Sequence, residues 1–376
     1  MIDVGAAGTT MRFLTSVLAT TPGTYILTGS QRMQQRPIGP LVDALRQLGA
    51  EISYECAEGY PPLRICGRQL HGGTLRLAGD VSSQYVSSLL MIAPRLTGAL
   101  RIELTGVVGS RPYIDMSMSM MRHFGVETRW DDERTISVAE QKYVAVPIAI
   151  ESDWSAASYW YEIVLLSPEF HETATLHGLF SDSMQGDRAV ADIFARLGIN
   201  TIAMARGGSS EGVMLQRQSA PPARIEWDFT MTPDLAQTVV VACAAKGVAF
   251  RFSGLRSLRI KETDRIAALC TELAKLGVYV DVIGDDVMEW AGPDGQRQGP
   301  VSYMSPLPGT SIATYDDHRM AMAFAPVAWT LGSIVIENET VVSKSYPRFW
   351  QDLQEAGFEA HPLPLPKGGE KGMENG

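Results

Sequence analysis

Five apolar, helix-like runs in this chain each end on a glycine and restart as a β-prone segment. The glycines are Gly49, Gly125, Gly198, Gly277 and Gly357, at intervals of 76, 73, 79 and 80 residues. The surrounding text repeats too: LVDALRQLGAEISY, MSMMRHFGVETRW, IFARLGINTIAM, TELAKLGVYVDVI and FWQDLQEAGFEAH. A helix commonly stops on a residue in the left-handed conformation, which glycine adopts without steric cost. A second, interleaved set of helix-like runs precedes strands ending in YILTGS, LRIELTG, ATLHGL, FRFSGL and SIVIENE. Leu-Gly pairs are common in isolation, but two interleaved phases at matched spacing define a repeated unit. Each unit reads helix, strand, helix, strand, with one more strand before the next helix, in text such as PLRICGR and GGTLRLAG. A repeat of this size sets the fold, and what stands at its joints sets the chemistry.

A chain of 376 residues has length for two or three domains. A boundary is expected near 145–152, where VAVPIAIESDWSAAS passes from a strand into a helix start. It divides the chain into domains at about 1–150 and 151–361. The Pro/Gly-rich stretch 362–376 reads as a disordered tail. No window of about 18 apolar residues predicts a membrane helix, and the start MIDVGAAGTTMRFL lacks the basic region of a secretory signal. The cysteines (Cys56, Cys66, Cys243, Cys270) show no CxxC pairing, which fits reduced thiols in a cytoplasmic protein. The histidines show no HExxH-like spacing, so no metal site is expected. A net charge of −10 argues against a nucleic-acid surface.

The basic residues nevertheless gather where strands pass into helices. Helix N-termini expose unpaired N–H groups and the positive end of the helix dipole, so they suit phosphate and carboxylate ligands. The first joint, GAAGTTMR, offers Gly8, Thr9 and Arg12; the next, QRMQQRPIG, offers Arg32 and Arg36, with Arg36 expected just before a helix opened by Pro37. DVSSQYVSSLL places Ser82, Ser83 and Gln84 at a helix start, and VVGSRPYID places Ser110, Arg111 and Tyr113 at another. Acids enter in the second half. Asp234 follows Pro233 at a helix start, and LRSLRIKETDRIAAL brings Ser257, Lys261, Glu262 and Arg265. Lys261 and Arg265, four apart, would share a helix face, which is unfavourable unless an anion lies between them. Asp316, Asp317, His318 and Arg319 precede another apolar helix, and Lys344 stands at the last joint.

Each joint taken singly reads equally well as a cap or a surface turn. The repeat, however, puts like joints at like ends of the units. Two facing domains would then surround a cleft with Arg12, Arg32, Arg36, Arg111, Lys261, Arg265, Arg319 and Lys344. Such a cleft in an acidic protein implies small polyanionic ligands, with Asp234 and Glu262 as candidate proton carriers.

GAAGTTMR, RMQQRPIGPLVDAL, YPPLR, SSQYVSSLLMIAP, SRPYIDMSMSMM, DWSAASY, PDLAQT, LRIKETDRIAAL, DDHRMAMAF and KSYPRFW together resemble the 3-phosphoshikimate 1-carboxyvinyltransferase (EPSP synthase) family, in order, from Ile2 to about Gly357. The resemblance implies an α/β fold of two similar domains, an inside-out α/β barrel of repeated βαβαββ units closing on the substrates. It implies transfer of the enolpyruvyl group of phosphoenolpyruvate to the 5-hydroxyl of shikimate 3-phosphate by addition and elimination, in a cytoplasmic monomer, with no metal, cofactor, nucleic acid or membrane. Shikimate 3-phosphate would meet Ser82, Ser83, Gln84, Ser110, Tyr113, Asp234, Ser257 and Lys261. Phosphoenolpyruvate would meet Gly8, Arg36, Gln84, Arg265, Arg319 and Lys344. Thr9, Arg12, Asp317 and His318 belong to the same motifs and count as substrate-binding candidates. Asp234 would take the 5-hydroxyl proton, and Glu262 would serve proton transfer at the methylene carbon.

The family has six units and a Gly-Ser-Lys-Ser…Arg segment ahead of the GAAGTTMR-like turn, whereas this sequence opens at Met1, directly before that turn. The expectation is a first unit largely missing, and a lysine, a serine and an arginine of the family's site with it. Ala6 and Ser257 stand where the family commonly has asparagine. An impaired fragment that binds without turnover is thus the alternative to an active transferase. The related UDP-N-acetylglucosamine carboxyvinyltransferases fit less well, given SRPYID, LRIKETDRI and no cysteine in a loop suited to a reactive thiol.

Overall fold

The computed structural model describes residues 1–80, 82–168, 173–204, 211–297 and 299–362. The stretch 363–376, nearly all of the expected tail, lies outside the described residues.

The first unit runs β1 (Ile2–Asp3), α1 (Gly8–Ala19), β2 (Gly23–Thr28), α2 (Gly39–Gln47), β3 (Glu51–Tyr54) and β4 (Leu63–Gly67). The second repeats it as β5 (His71–Ala78), α3 (Ser83–Ile92), β6 (Thr97–Thr105), α4 (Arg111–His123), β7 (Arg129–Trp130) and β8 (Thr135–Val138). A third contains α5 (Trp154–Leu166), β9 (Thr173–His177), α6 (Val190–Arg196), β10 (Ile199–Ala203) and β11 (Gly212–Arg217). The fourth is complete: β12 (Arg224–Asp228), α7 (Ala236–Lys246), β13 (Ala249–Ser253), α8 (Arg265–Lys275), β14 (Asp281–Ile283) and β15 (Val287–Trp290). The last comprises β16 (Ser311–Ile312), α9 (His318–Phe324), α10 (Ala328–Leu331), β17 (Val335–Ile336) and α11 (Phe349–Glu355).

The three complete units share one sheet order, β1-β2-β4-β3, β5-β6-β8-β7 and β12-β13-β15-β14. In each, the first two strands are parallel across a helical crossover and the last two form an antiparallel pair. All five glycines of the sequence repeat have φ between 76° and 95°. At Gly277 the reason is plain: its N–H bonds the Ala274 carbonyl at 3.1 Å while the Val278 N–H reaches the Leu273 carbonyl at 3.0 Å, closing α8.

Burial divides the chain into two cores. One extends from Met11 to Val138, and the other from Trp154 to Leu353 around the almost wholly buried α5 and α7. The helix faces explain this division. Leu41, Val42 and Leu45 give α2 one apolar stripe, whereas α7 (AQTVVVACAAK) is mostly small and apolar, and all its residues except Lys246 are buried.

The strand expected over VAVPIAI does not form. In the other units a closing rung follows the parallel pair, as when the Val4 N–H bonds the Thr28 carbonyl (3.0 Å) or Phe229 bonds Ser253 (2.8 Å). The third unit keeps only that rung, from Ser152 N–H to the Gly178 carbonyl at 2.8 Å. Upstream, the chain is tied instead to the end of α4: Val144 N–H bonds the Phe124 carbonyl (2.8 Å), and His123 Nε2 lies 3.0 Å from the Pro147 carbonyl. Pro147 also lacks the N–H a ladder needs. Among the described residues β9 therefore has no parallel neighbour, and a groove of ≈ 870 Å³ lined by Trp160, Leu176, Trp329 and Tyr346 adjoins it.

No helix among the described residues is long and apolar enough to cross a membrane, no cluster of three or more His, Cys, Asp or Glu side chains is poised for a metal, and all four cysteines are free.

Candidate active site

Arg265, the first residue of α8, is the centre of the site. Asp264 caps the helix by accepting from Ala267 N–H at 3.1 Å, which turns the Arg265 side chain inward; it is 1% exposed. Its Nε donates to Asp317 Oδ2 at 2.7 Å, its Nη1 to Asp234 Oδ1 at 3.1 Å and its Nη2 to Glu262 Oε2 at 2.9 Å. Asp317 is fully buried, and it caps α9 by accepting from Arg319 N–H at 2.9 Å. One guanidinium thus binds three carboxylates supplied by three successive joints.

Asp234 sits in a short 3-10 turn (Pro233–Leu235) leading into α7. Besides Arg265 it has Lys261 Nζ at 3.3 Å and Arg319 Nη2 at 3.4 Å. Burial pushes its carboxyl up, but Lys261, Arg319 and Arg265 together hold it well below the usual carboxylate range. Lys261 and Arg265 are not on one helix face as expected, because α8 begins only at Arg265 and Lys261 ends the preceding 3-10 turn. An anion does lie between them, and it is Asp234.

Glu262 faces the other half of the chain. Lys344 Nζ lies 3.1 Å from its Oε1 and Arg36 Nη1 lies 3.7 Å away. Burial opposes its ionisation, yet Arg265, Lys344 and Arg36 lower it below the usual range. Arg32 joins the halves as well, donating to the Glu262 carbonyl at 2.9 Å and the Lys261 carbonyl at 3.0 Å. Gly8, at the start of α1, makes room for Arg36: a Cβ there would stand 2.7 Å from Arg36 Nη1. Arg36 itself is not at a helix start, since Ile38 is the N-cap of α2 and Pro40 lies in its first turn.

Across the first half, Gln84 Nε2 donates to Thr9 Oγ1 at 2.9 Å, joining the first and third joints. Ser82 stands at the N-cap of α3 and makes no capping hydrogen bond with its side chain, and Ser83 opens the helix. Ser110 has φ 55°, and its N–H bonds the Thr230 carbonyl of the second half at 2.9 Å. Ser257 lies in the 3-10 turn before Lys261. His318, next to Asp317, is driven down to about 3 by burial and by Arg319, so its imidazole is neutral. Arg319 also points Nη2 at Ser155 Oγ, 3.4 Å away.

Two expected cleft residues face elsewhere. Arg12 is 4% exposed and points inward, donating to the Gly8 carbonyl at 3.2 Å and the Pro37 carbonyl at 3.4 Å. It supports the loop carrying Arg36. Arg111 stacks 4.1 Å from the Trp130 ring centroid and pairs with Asp115 at 3.7 Å on the outer side of α4. Asp316 is exposed and accepts from Asn338 at 2.9 Å. Conversely, SMQGD resembles an ordinary turn in the sequence, yet Asp187 enters the site, its Oδ1 lying 2.6 Å from the Tyr113 hydroxyl.

The ordered sequence motifs and the repeated sheet topology coincide with a known family. A family model for EPSP synthase (3-phosphoshikimate 1-carboxyvinyltransferase) matches residues 1–353. The chain belongs to the EPSP synthase family. A 3-phosphoshikimate 1-carboxyvinyltransferase of Bacteroides fragilis is 50% identical over 359 residues, covering 95% of this chain and 83% of that protein. One of Shewanella halifaxensis is 37% identical over 353 residues, covering 93% and 78%. An EPSP synthase structure from Acinetobacter baumannii superposes with a TM-score of 0.72 at 24% identity, covering 94% of this chain and 78% of that one. The enolpyruvyl transferase NikO from Streptomyces tendae gives 0.65 at 15%, covering 92% and 75%. These two likenesses speak for the fold, which is the two-domain architecture of EPSP synthases.

Proposed function

We propose that this chain transfers the enolpyruvyl group of phosphoenolpyruvate to the 5-hydroxyl of shikimate 3-phosphate, releasing phosphate, as a cytoplasmic monomer whose halves, divided near residue 150, close on the two substrates. The observation that carries the reading is the pair of ion clusters around Asp234 and Glu262, in which cations surround carboxylates at the joints of the repeat and Arg36 of the first half reaches Glu262 of the second.

Asp234 as it stands is a weak base, because three cations stabilise its ionised form. Binding of a phosphate alters that. An anion that draws Lys261 away from Asp234 raises the proton affinity of the carboxylate at the moment the 5-hydroxyl arrives. Asp234 then accepts the hydroxyl proton as the oxygen bonds C2 of phosphoenolpyruvate and the C2–C3 π pair takes a proton at C3, making it a methyl group. Glu262, beside Lys344, serves that transfer after taking up a proton from solvent. Loss of one proton from that methyl group and of phosphate from C2 restores the double bond and completes the exchange. Ser82, Ser83, Gln84, Ser110, Tyr113, Ser257 and Lys261 hold shikimate 3-phosphate. Gly8, Arg36, Gln84, Arg265, Arg319 and Lys344 form the phosphoenolpyruvate side, with Thr9, Arg12, Asp317 and His318 beside them. Arg and Lys partners suit two phosphates and a carboxylate, and closure strengthens them by excluding water.

A coupled phosphate-release assay with both substrates tests the reading. Turnover that requires shikimate 3-phosphate supports it; release driven by UDP-N-acetylglucosamine instead reverses the choice of acceptor. Binding without release identifies a chain that holds its substrates but cannot transform them.

A further inference from the structure

The two halves also meet where α4 begins. The Ser110 N–H bonds Thr230, and Pro112 presses on Gly186, where any Cβ would overlap the proline ring. One residue on, the Tyr113 hydroxyl lies 2.6 Å from Asp187 Oδ1. Asp187 is 6% exposed, in the 3-10 turn (Gly186–Ala189) before α6. Only one proton lies between the two oxygens, and which group supplies it decides what Tyr113 offers to a ligand. If Asp187 is ionised, the phenol must donate to it and presents only lone pairs elsewhere. If Asp187 is protonated, it can donate to the phenol oxygen and release the Tyr113 O–H for an acceptor.

We propose that Asp187 is a positioning residue that, in its protonated form, turns the Tyr113 hydroxyl into a donor for the phosphate of the substrate. This rests on the functional reading above, in which Tyr113 contacts shikimate 3-phosphate. The groups facing Asp187 favour the protonated form. Burial raises it, Asp234 before α7 raises it further and Asp153 at the N-cap of α5 adds to that, against the opposing pull of Tyr113 on α4 and Arg319 on α9; the outcome is about 7. The Tyr113 phenol, buried and beside Asp187, is raised well above its ordinary value and keeps its proton. Asp187 and Asp234 thus differ: at pH 7 Asp187 is about half protonated, and Asp234 is ionised.

The test is titration calorimetry of the full chain with shikimate 3-phosphate between pH 6 and 8.5, comparing wild type with Asp187→Asn, Asp187→Ala and Tyr113→Phe. An asparagine amide donates to the phenol oxygen at every pH, so Asp187→Asn is expected to bind with little added pH dependence. Wild-type affinity should fall by up to about tenfold per pH unit above pH 7, relative to Asp187→Asn, as one proton is lost. The second ionisation of the ligand phosphate, near pH 6, cancels in that ratio. Asp187→Ala and Tyr113→Phe should each weaken binding, and together no more than either alone. Equal pH slopes for wild type and Asp187→Asn, or weakening by Asp187→Asn as large as by Asp187→Ala, would overturn the proposal while leaving the functional reading intact. No binding by the wild-type chain at any pH would overturn that reading and this proposal with it.

Discussion

Arg265→Met keeps an unbranched stem and removes the guanidinium with its charge, which isolates what that group does for the carboxylates around it. Arg265 makes four contacts within 3.4 Å to three acids, two of them with Asp317 at 2.7 and 3.4 Å. Asp234 and Glu262 retain Lys261, Arg319, Arg36 and Lys344. Asp317 does not fare so well: it is fully buried and, among the described residues, keeps only the Arg319 N–H and the neighbouring neutral His318. Removing one member of a buried ion pair typically costs about 3–5 kcal/mol, because the other charge is left uncompensated. That is a large fraction of the roughly 5–15 kcal/mol that holds a domain folded. Urea unfolding followed by tryptophan fluorescence would report it, since Trp154 and Trp290 lie in the second core. The argument assigns the cost to the stranded Asp317 charge, so adding Asp317→Asn to Arg265→Met should recover at least about 1 kcal/mol. A loss below about 1 kcal/mol for Arg265→Met, or strict additivity of the two substitutions, would refute it.

Asp234→Asn should lower turnover by about 10²-fold or more while the chain remains folded, measured as phosphate release. Glu162, fully buried in α5 with neither carboxyl oxygen hydrogen-bonded, is held protonated by burial. In the unfolded chain it ionises above about pH 4.3, so its contribution to stability is lost as pH rises. Glu162→Gln is therefore expected to gain stability relative to wild type between pH 5 and 8 in paired thermal melts. Gly49→Ala meets no atom within 4 Å and bears only the left-handed backbone cost of about 1–2 kcal/mol. Gly277→Ala in addition overlaps the Ser302 carbonyl, so its loss on urea unfolding should be about twice as large or more.

Much of this molecule is legible in its sequence because its repeat is local. The glycines mark where helices must end, and the strands follow from short β-prone text after them. The joints collect Asp234, Lys261, Glu262, Arg265, Arg319 and Lys344 for the same reason, as helix starts and the turns before them. Direction is what the sequence leaves open. Arg111 and Arg36 both precede prolines, yet one lies over Trp130 and the other reaches Glu262 across the halves. VAVPIAI has strand composition, but Val144 finds its backbone partner in Phe124 at the end of α4, twenty residues upstream. Asp187 gains its importance only from burial against Tyr113, and no spacing rule links positions 113 and 187.

The most direct test of the account follows phosphorus by NMR in one tube containing this chain, phosphoenolpyruvate and shikimate 3-phosphate. The account predicts that both substrate signals decline together while inorganic phosphate and one new phosphate monoester appear in equal amounts, and that Asp234→Asn suppresses all four changes. Phosphoenolpyruvate that stays unconsumed, or phosphate released without an accompanying new monoester, would contradict it.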